Sequence, residues 1–143
     1  MATEDARREG RCLCGGVGLR VPAAAPEVSA CHCRMCRRWA GGPALVLHAG
    51  NDVDIDRGVE LVRRFASSDW AERAFCTRCG SHLFYRALGD GAHYVSAGLF
   101  DTLPGATLGL EIFIDAKPDW YGSLGAREQL TEAEFLARVG ATG

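Results

Sequence analysis

The chain has 143 residues, of which 48% are hydrophobic, and its formal net charge is −2 at pH 7. This length suffices for one domain with its own core, so residues 1–143 are predicted to form a single domain. The near-neutral charge argues against a nucleic-acid-binding protein, which usually carries a basic excess. No apolar run approaches transmembrane length and the charged N-terminus lacks an apolar signal segment, so no membrane association is predicted and the expected location is the cytoplasm.

Short strand-like segments alternate with turn signals along most of the chain. Residues 1–9 are polar and are predicted to be a poorly ordered lead-in. Only the C-terminus is predicted to be helical, over about 131–139, where Thr131 and Glu134 form a capping box. The fold class is therefore mainly β, all-β apart from a short C-terminal helix. Strands are predicted at 17–21, 28–30, 44–48, 53–55, 60–65, 82–86, 93–97 and 110–114.

All seven cysteines fall in three tight clusters. An odd count excludes complete intramolecular disulfide pairing, and two cysteines separated by one residue make a strained disulfide. Thiolates at this spacing suit zinc, whose structural sites take four protein ligands and whose catalytic sites take three. The clusters are Cys12 with Cys14, Cys31 with Cys33 and Cys36, and Cys76 with Cys79.

Seven ligands divide naturally as four plus three. The two flanking pairs would form a closed four-cysteine site, and the central trio would form an open site with a position free for substrate. The alternative is that all seven cysteines serve stability, with His32 or another group closing the second site. Free thiols that hold metal fit a reducing compartment.

Three motifs in this order resemble the glutathione-dependent formaldehyde-activating enzyme (GFA) family. The matching segments are Gly10–Gly15, Cys31–Arg38 and Arg73–Gly80, and the resemblance runs from about Gly10 to Trp120. It implies folded antiparallel β-sheets around zinc, similar to the fold of the methionine-R-sulfoxide reductases and of Rab-binding zinc proteins.

The resemblance also implies a carbon–sulfur lyase that joins glutathione and formaldehyde to S-hydroxymethylglutathione, or reverses that step. The cofactor would be Zn²⁺ at two sites, and the partner a small thiol or thiol–aldehyde adduct such as that of glutathione. The implied ligands are Cys12, Cys14, Cys76 and Cys79 for a structural zinc, and Cys31, Cys33 and Cys36 for a second, more labile zinc at the active centre.

The predicted catalytic role of Cys31, Cys33 and Cys36 is exerted through the bound zinc. Coordination deprotonates a thiol, and the fourth position of an open site can take the sulfur or the aldehyde oxygen of the substrate. The nucleophile is then the substrate's own sulfur. Nothing in the sequence requires a separate covalent role for these three side chains.

Several charged and aromatic side chains near these motifs have two interpretations each. Three arginines after the trio either offset its negative charge and receive substrate carboxylates, or are simply solvated. His32 is a zinc ligand, or it supports the site or exchanges protons. Asp101 and Glu111 are either proton-transfer groups or solvated carboxylates, and Glu111 stands where many members of the family have His. The three arginines are Arg34, Arg37 and Arg38. The tryptophans Trp39, Trp70 and Trp120 are expected to pack against other side chains.

Three classes of function follow, of which the last, a nucleic-acid-binding zinc module, is disfavoured by the near-neutral charge. The first is the zinc-dependent lyase. The second is a non-catalytic zinc module that binds a protein partner, as the Rab-binding proteins of similar fold do. A large exposed apolar patch without a pocket at the trio would favour the second class.

Overall fold

The computed structural model describes residues 7–23 and 26–140. These residues are mainly β, with two helices of seven residues each, α1 (Arg34–Ala40) and α2 (Glu132–Arg138). The prediction of a mainly β fold with a short C-terminal helix is confirmed. The strands, in chain order, are β1 (Arg7–Arg11), β2 (Gly18–Pro22), β3 (Glu27–Cys31), β4 (Ala44–Gly50), β5 (Asp54–Arg57), β6 (Val62–Ala66), β7 (Ala71–Cys76), β8 (His82–Ala87), β9 (His93–Ser96), β10 (Thr107–Ile112) and β11 (Glu128–Leu130).

The described residues group into two compact units. The first contains those of Met1–Pro26 and Val46–Gly105, and the second contains those of Glu27–Leu45 and Ala106–Gly143. Each unit is therefore built from two separate stretches of the chain. That residues 1–143 form a single domain stays a prediction.

The first unit is antiparallel throughout. Strands β1, β2 and β5 form a three-stranded sheet with β2 in the middle, and β4, β9, β8, β7 and β6 are neighbours in that order. Residues Val17, Leu19 and Val21 alternate with smaller or polar neighbours, and all three are buried. In β8 the neighbours Leu83 and Phe84 are both buried, and in β9 Val95 is buried.

The second unit contains parallel pairs, which the sequence patterns did not predict. Strand β10 lies between β3 and β11 and runs parallel to both. Helix α2 begins as predicted, because the Thr131 hydroxyl accepts from the Glu134 amide and the Glu134 carboxylate accepts from the Thr131 amide. The strands of this unit carry Cys31 and Glu111.

Two predictions about secondary structure were wrong. Strand β1 begins at Arg7, within the predicted lead-in, although residues 1–6 lie outside the described part of the chain. Helix α1 was not predicted because Cys36 is its only buried residue, so its seven residues show no apolar periodicity. Neither helix approaches the length needed to span a membrane, and none elsewhere in residues 7–23 and 26–140 does.

Candidate metal centres

The first cysteine cluster lies within the first unit and joins two distant loops. The Sγ atoms of the four cysteines predicted to hold a structural zinc all lie within 4.8 Å of one another. These are Cys12, Cys14, Cys76 and Cys79. Cys14 Sγ is 3.6 Å from Cys12 Sγ and 3.9 Å from Cys76 Sγ. A tetrahedral zinc with Zn–S bonds of about 2.3 Å sets its sulfurs about 3.8 Å apart. The donor set and its spacing therefore fit Zn²⁺.

The backbone around these cysteines points amide groups at sulfur. The Val17 amide donates to Cys12 Sγ at 3.3 Å, and the Gly16 amide donates to Cys14 Sγ at 3.4 Å. After the second pair, Gly80 takes a positive φ of 78° and donates its amide to the Cys76 carbonyl at 2.7 Å. A hydrogen bond with the Ser81 hydroxyl lowers the pKa of Cys79 to about 5. This turn chemistry favours the thiolates that a metal requires.

The second cluster lies within the second unit and is formed by a short local segment. Cys31 ends β3, Cys33 is the N-cap of α1, and Cys36 lies in the first turn of that helix. Their three Sγ atoms lie within 4.8 Å of one another. The Cys36 amide donates to Cys33 Sγ at 3.3 Å, as in an ordinary helix cap. The helix that sequence patterning missed is thus what brings the predicted trio together.

The three thiols share their protons unequally. Hydrogen bonds from Cys31 and then from Cys36 hold the pKa of Cys33 at about 2. Hydrogen bonds with Cys33, and to a smaller extent with Cys36, raise the pKa of Cys31. Of Cys31 and Cys33, it is therefore the Cys33 side chain that these contacts favour as the thiolate.

His32 is fully buried, and both of its ring nitrogens have protein partners. Nε2 lies 2.7 Å from Glu111 Oε2, and Nδ1 lies 2.9 Å from the Tyr121 hydroxyl. Because both ring nitrogens are hydrogen-bonded, His32 has no free nitrogen with which to close the second metal site. The supporting role is the one that the geometry favours.

Glu111 is a fully buried carboxylate surrounded by donors. Oε1 accepts from the Ser123 hydroxyl at 2.8 Å and the Ala126 amide at 3.0 Å, and Oε2 also accepts from the Leu124 amide at 3.1 Å. Burial alone raises the pKa of this carboxyl, but the hydrogen bonds, including that of His32, outweigh it and lower the pKa to about 2. An ionised carboxylate only accepts, so His32 Nε2 carries the proton of their shared hydrogen bond.

Tyr121 extends this network beyond His32. When His32 is neutral with its proton on Nε2, Nδ1 accepts and the Tyr121 hydroxyl donates. Burial raises the pKa of Tyr121, the charge of Arg37 partly offsets this, and the charges of Cys31 and Glu111 raise it again. The hydroxyl therefore lies in the electric field of the second cluster.

Sequence reasoning did not single out Tyr121, and it left Glu111 as an open alternative. An available signal was Glu111 itself, an acidic residue within the apolar run 110–114, because a buried carboxylate requires donors from elsewhere in the chain. The other carboxylate considered, Asp101, is exposed and lies 3.6 Å from Arg11. Asp101 takes no part in either cluster.

The three arginines after the trio lie around one cavity, and of these Arg34 and Arg38 are exposed. Arg34, Arg37 and Arg38 line a cavity of about 320 Å³ together with Gly41 and Trp120. The expectation that the tryptophans pack was wrong for two of them, since Trp120 is 73% exposed and Trp70 is 61% exposed. Trp39 is half-buried.

Comparisons with known proteins point to one family. The model of the family described as glutathione-dependent formaldehyde-activating enzyme matches residues 7–116. An uncharacterized lyase of Schizosaccharomyces pombe is 31% identical over 132 residues, which are 92% of this chain and 96% of the relative. A Halomonas elongata protein that bears the provisional name of a glutathione-dependent formaldehyde-activating enzyme is 30% identical over 131 residues, covering 85% of this chain and 83% of the relative.

A solved structure shares the fold. The crystal structure of a Rhodobacter sphaeroides protein superposes with a TM-score of 0.55 at 24% identity, covering 65% of this chain and 87% of the other. The family match and the names of the relatives confirm the prediction of an enzyme of lyase type over that of a non-catalytic module. On these grounds the chain belongs to the family of glutathione-dependent formaldehyde-activating enzymes.

Proposed function

We propose that this protein is a zinc-dependent carbon–sulfur lyase that acts on thiol–aldehyde adducts, of the type glutathione plus formaldehyde to S-hydroxymethylglutathione. The observation that carries the proposal is the trio of Cys31, Cys33 and Cys36. Its sulfurs converge, and within the described residues no fourth His, Cys, Asp or Glu ligand joins them. A site with three protein ligands and one open position is the arrangement of catalytic rather than structural zinc.

The two clusters would hold zinc for different purposes. The four cysteines of the first unit would hold a structural zinc, since four protein ligands complete its coordination. Cys31, Cys33 and Cys36 would hold the second. When bound there, Zn²⁺ supplies a Lewis acid that lowers the pKa of a substrate thiol and polarises a carbonyl.

The chain's own residues handle the proton. In adduct breakdown, the adduct hydroxyl gives its proton to Tyr121 Oη while Tyr121 passes its own proton to His32 Nδ1. The O–H bonding pair becomes the second carbon–oxygen bond of the aldehyde, and the carbon–sulfur pair leaves with sulfur as a thiolate. The Glu111 carboxylate stabilises the imidazolium that results. Adduct formation is the reverse sequence.

The test is the exchange of ¹³C-formaldehyde with S-hydroxymethylglutathione, followed by NMR on the zinc-loaded protein. We expect exchange faster than in buffer, a return to the buffer rate for Cys36→Ser, and a fall of about 10²-fold or more in kcat for Tyr121→Phe. Tyr94→Phe, which removes a hydroxyl in the first unit, is the matched control and should retain the wild-type rate. A wild-type protein that carries zinc and leaves the exchange rate unchanged would refute the proposal.

A further inference from the structure

We propose that the cavity lined by Arg34, Arg37, Arg38, Gly41 and Trp120, here called the arginine cavity, binds a carboxylate of the substrate. The enzyme then selects thiols that carry a carboxylate over neutral thiols. This inference rests on the proposed function for its kinetic consequence, although binding at the cavity can be measured without any reaction.

The charge of the cavity is one-sided. Three of its five lining residues are arginines and none is acidic. Asp119 precedes Trp120 but is exposed and does not line the cavity. Like charges held around one concave surface repel one another, and an anion placed among them relieves that repulsion.

These arginines differ from those of the chain that form ion pairs. Arg7, Arg20 and Arg127 each lie within 3.0 Å of a carboxylate oxygen. Within residues 7–23 and 26–140, no carboxylate oxygen lies within 4.0 Å of the three cavity arginines. Their guanidinium groups can therefore form an ion pair with a carboxylate of a ligand.

Arg37 adds a specific donor. Its Nε is buried and has no hydrogen-bond partner. The Nε atoms of Arg7 and Arg8 are also buried and donate no hydrogen bond, but of the three only Arg37 lines this cavity, where its donor is available to an acceptor that enters. A carboxylate can accept from two N–H groups of one guanidinium at once, which is the pairing that the planar fork of arginine favours.

Trp120 supplies an apolar wall to the same cavity. Its indole is 73% exposed, which leaves a large face free to contact the organic part of a ligand. Its ring centroid lies 4.9 Å from that of Tyr121, whose hydroxyl bonds to His32. The wall of the cavity is thus continuous with the proton-handling network.

The cavity and the cysteine trio share one helix. Arg34 follows Cys33 directly, and Arg37 follows Cys36. On this proposal, a ligand with a carboxylate at one end and a thiol at the other would reach both the cavity and the trio, whereas a neutral thiol would reach only the trio. Binding that is equal in the ground state and the transition state lowers KM without changing kcat, so the cavity should act on KM.

Binding is tested with S-methylglutathione, a thioether that has the carboxylates but no thiol to offer a metal. Calorimetry on the zinc-loaded protein should show binding at least tenfold weaker for the dimethyl ester of this probe. Arg37→Ala and Arg38→Ala should each weaken binding of the acid at least tenfold, and Arg38→Lys should recover part of it. The matched control is Arg63→Ala, an exposed arginine of β6, which should bind within twofold of the wild type. Equal binding of acid and ester, or no effect of either arginine variant, would overturn the inference.

Kinetics separate the two proposals. In the exchange assay, the ratio of kcat/KM for glutathione to that for 2-mercaptoethanol should fall at least tenfold in Arg38→Ala, mainly through KM. Activity with both thiols and an unchanged ratio would overturn the inference and leave the lyase standing. Absence of activity with every thiol, together with carboxylate-dependent binding of S-methylglutathione, would refute the lyase and support the cavity as a carboxylate site.

Discussion

Glu111 shows how a single buried charge can organise its surroundings. A carboxylate removed from water is costly unless donors replace its hydration, and here four donors do so: His32 Nε2, the Ser123 hydroxyl and the amides of Leu124 and Ala126. These contacts hold the loop after Tyr121 against β10 and fix the proton of His32 on Nε2. At the residue scale, Glu111 is therefore an anchor for the proton-handling network.

Glu111→Gln should reduce the free energy of unfolding by about 3 kcal/mol, because the amide nitrogen would face donors and leave at least one of them unpaired. The pKa of about 2 lies below the usual carboxyl range, so this stabilisation is present at neutral pH and is lost only as pH falls from that range through about 2. The difference between variant and wild type should thus be constant between about pH 5.5 and 8.

Urea unfolding of the zinc-loaded protein across that pH range measures this difference. Glu60→Gln, an exposed acidic residue, is the control and should lie within about 0.5 kcal/mol of the wild type. An equally stable Glu111→Gln protein would contradict the anchoring role.

At the scale of single elements, the seven-residue helix α1 contributes to both the cysteine trio and the arginine cavity. Its N-cap and first turn hold two of the three clustered sulfurs, and its exposed side holds the arginines of the cavity. A helix this short is not stable by itself, so its ends must be well capped. Cys33 caps one end, and at the other Gly41 takes a left-handed φ of 85° and donates to the Arg37 carbonyl at 2.7 Å.

Gly41→Ala should cost about 1 kcal/mol of stability, since a side chain disfavours this φ although no atom lies within 4 Å of the new Cβ. Gly42→Ala is the matched control, because its Cβ also meets open space but its φ lies outside the left-handed region. Thermal unfolding of both variants checks the difference. If the two substitutions cost the same, the positive φ is not what ends α1.

At the scale of the whole molecule, the two cysteine clusters differ in what they connect. The first joins residues 12–14 to 76–79 within the first unit, so a metal there closes a long loop of chain. The second connects only residues 31–36, which α1 already holds together. Loss of the first metal should therefore cost far more folding free energy than loss of the second.

Cys76→Ser should prevent stable folding, whereas Cys36→Ser should leave a folded protein with one zinc fewer than the wild type. Circular dichroism reports the fold, and elemental analysis reports zinc per chain. The two variants serve as each other's controls because each removes one thiol. Equal unfolding by both substitutions would refute the division into a structural and a functional site.

Local sequence was enough to predict much of this protein. Cysteine spacing picked out three local clusters, and the number of ligands that zinc takes divided their seven thiols into the same groups of four and three that the structure brings together. Alternating apolar residues predicted strands such as β2 and β4, and Thr131 with Glu134 predicted the start of α2. Each local cluster, each strand and the start of α2 depend on residues a few positions apart, whereas the union of the two flanking cysteine pairs was predicted from ligand number alone.

Tertiary structure alone decided the rest of the site. His32 meets Glu111 across 79 positions and Tyr121 across 89, and no local pattern records such pairings. The parallel pairing of β10 with β3 and β11 likewise depends on which strands become neighbours rather than on what each contains. The arginine cavity required α1 and Trp120 to meet. The sequence thus determined which residues can bind a metal, and the fold determined which residues can move a proton or receive an anion beside it, because those functions need side chains that only long-range packing brings together.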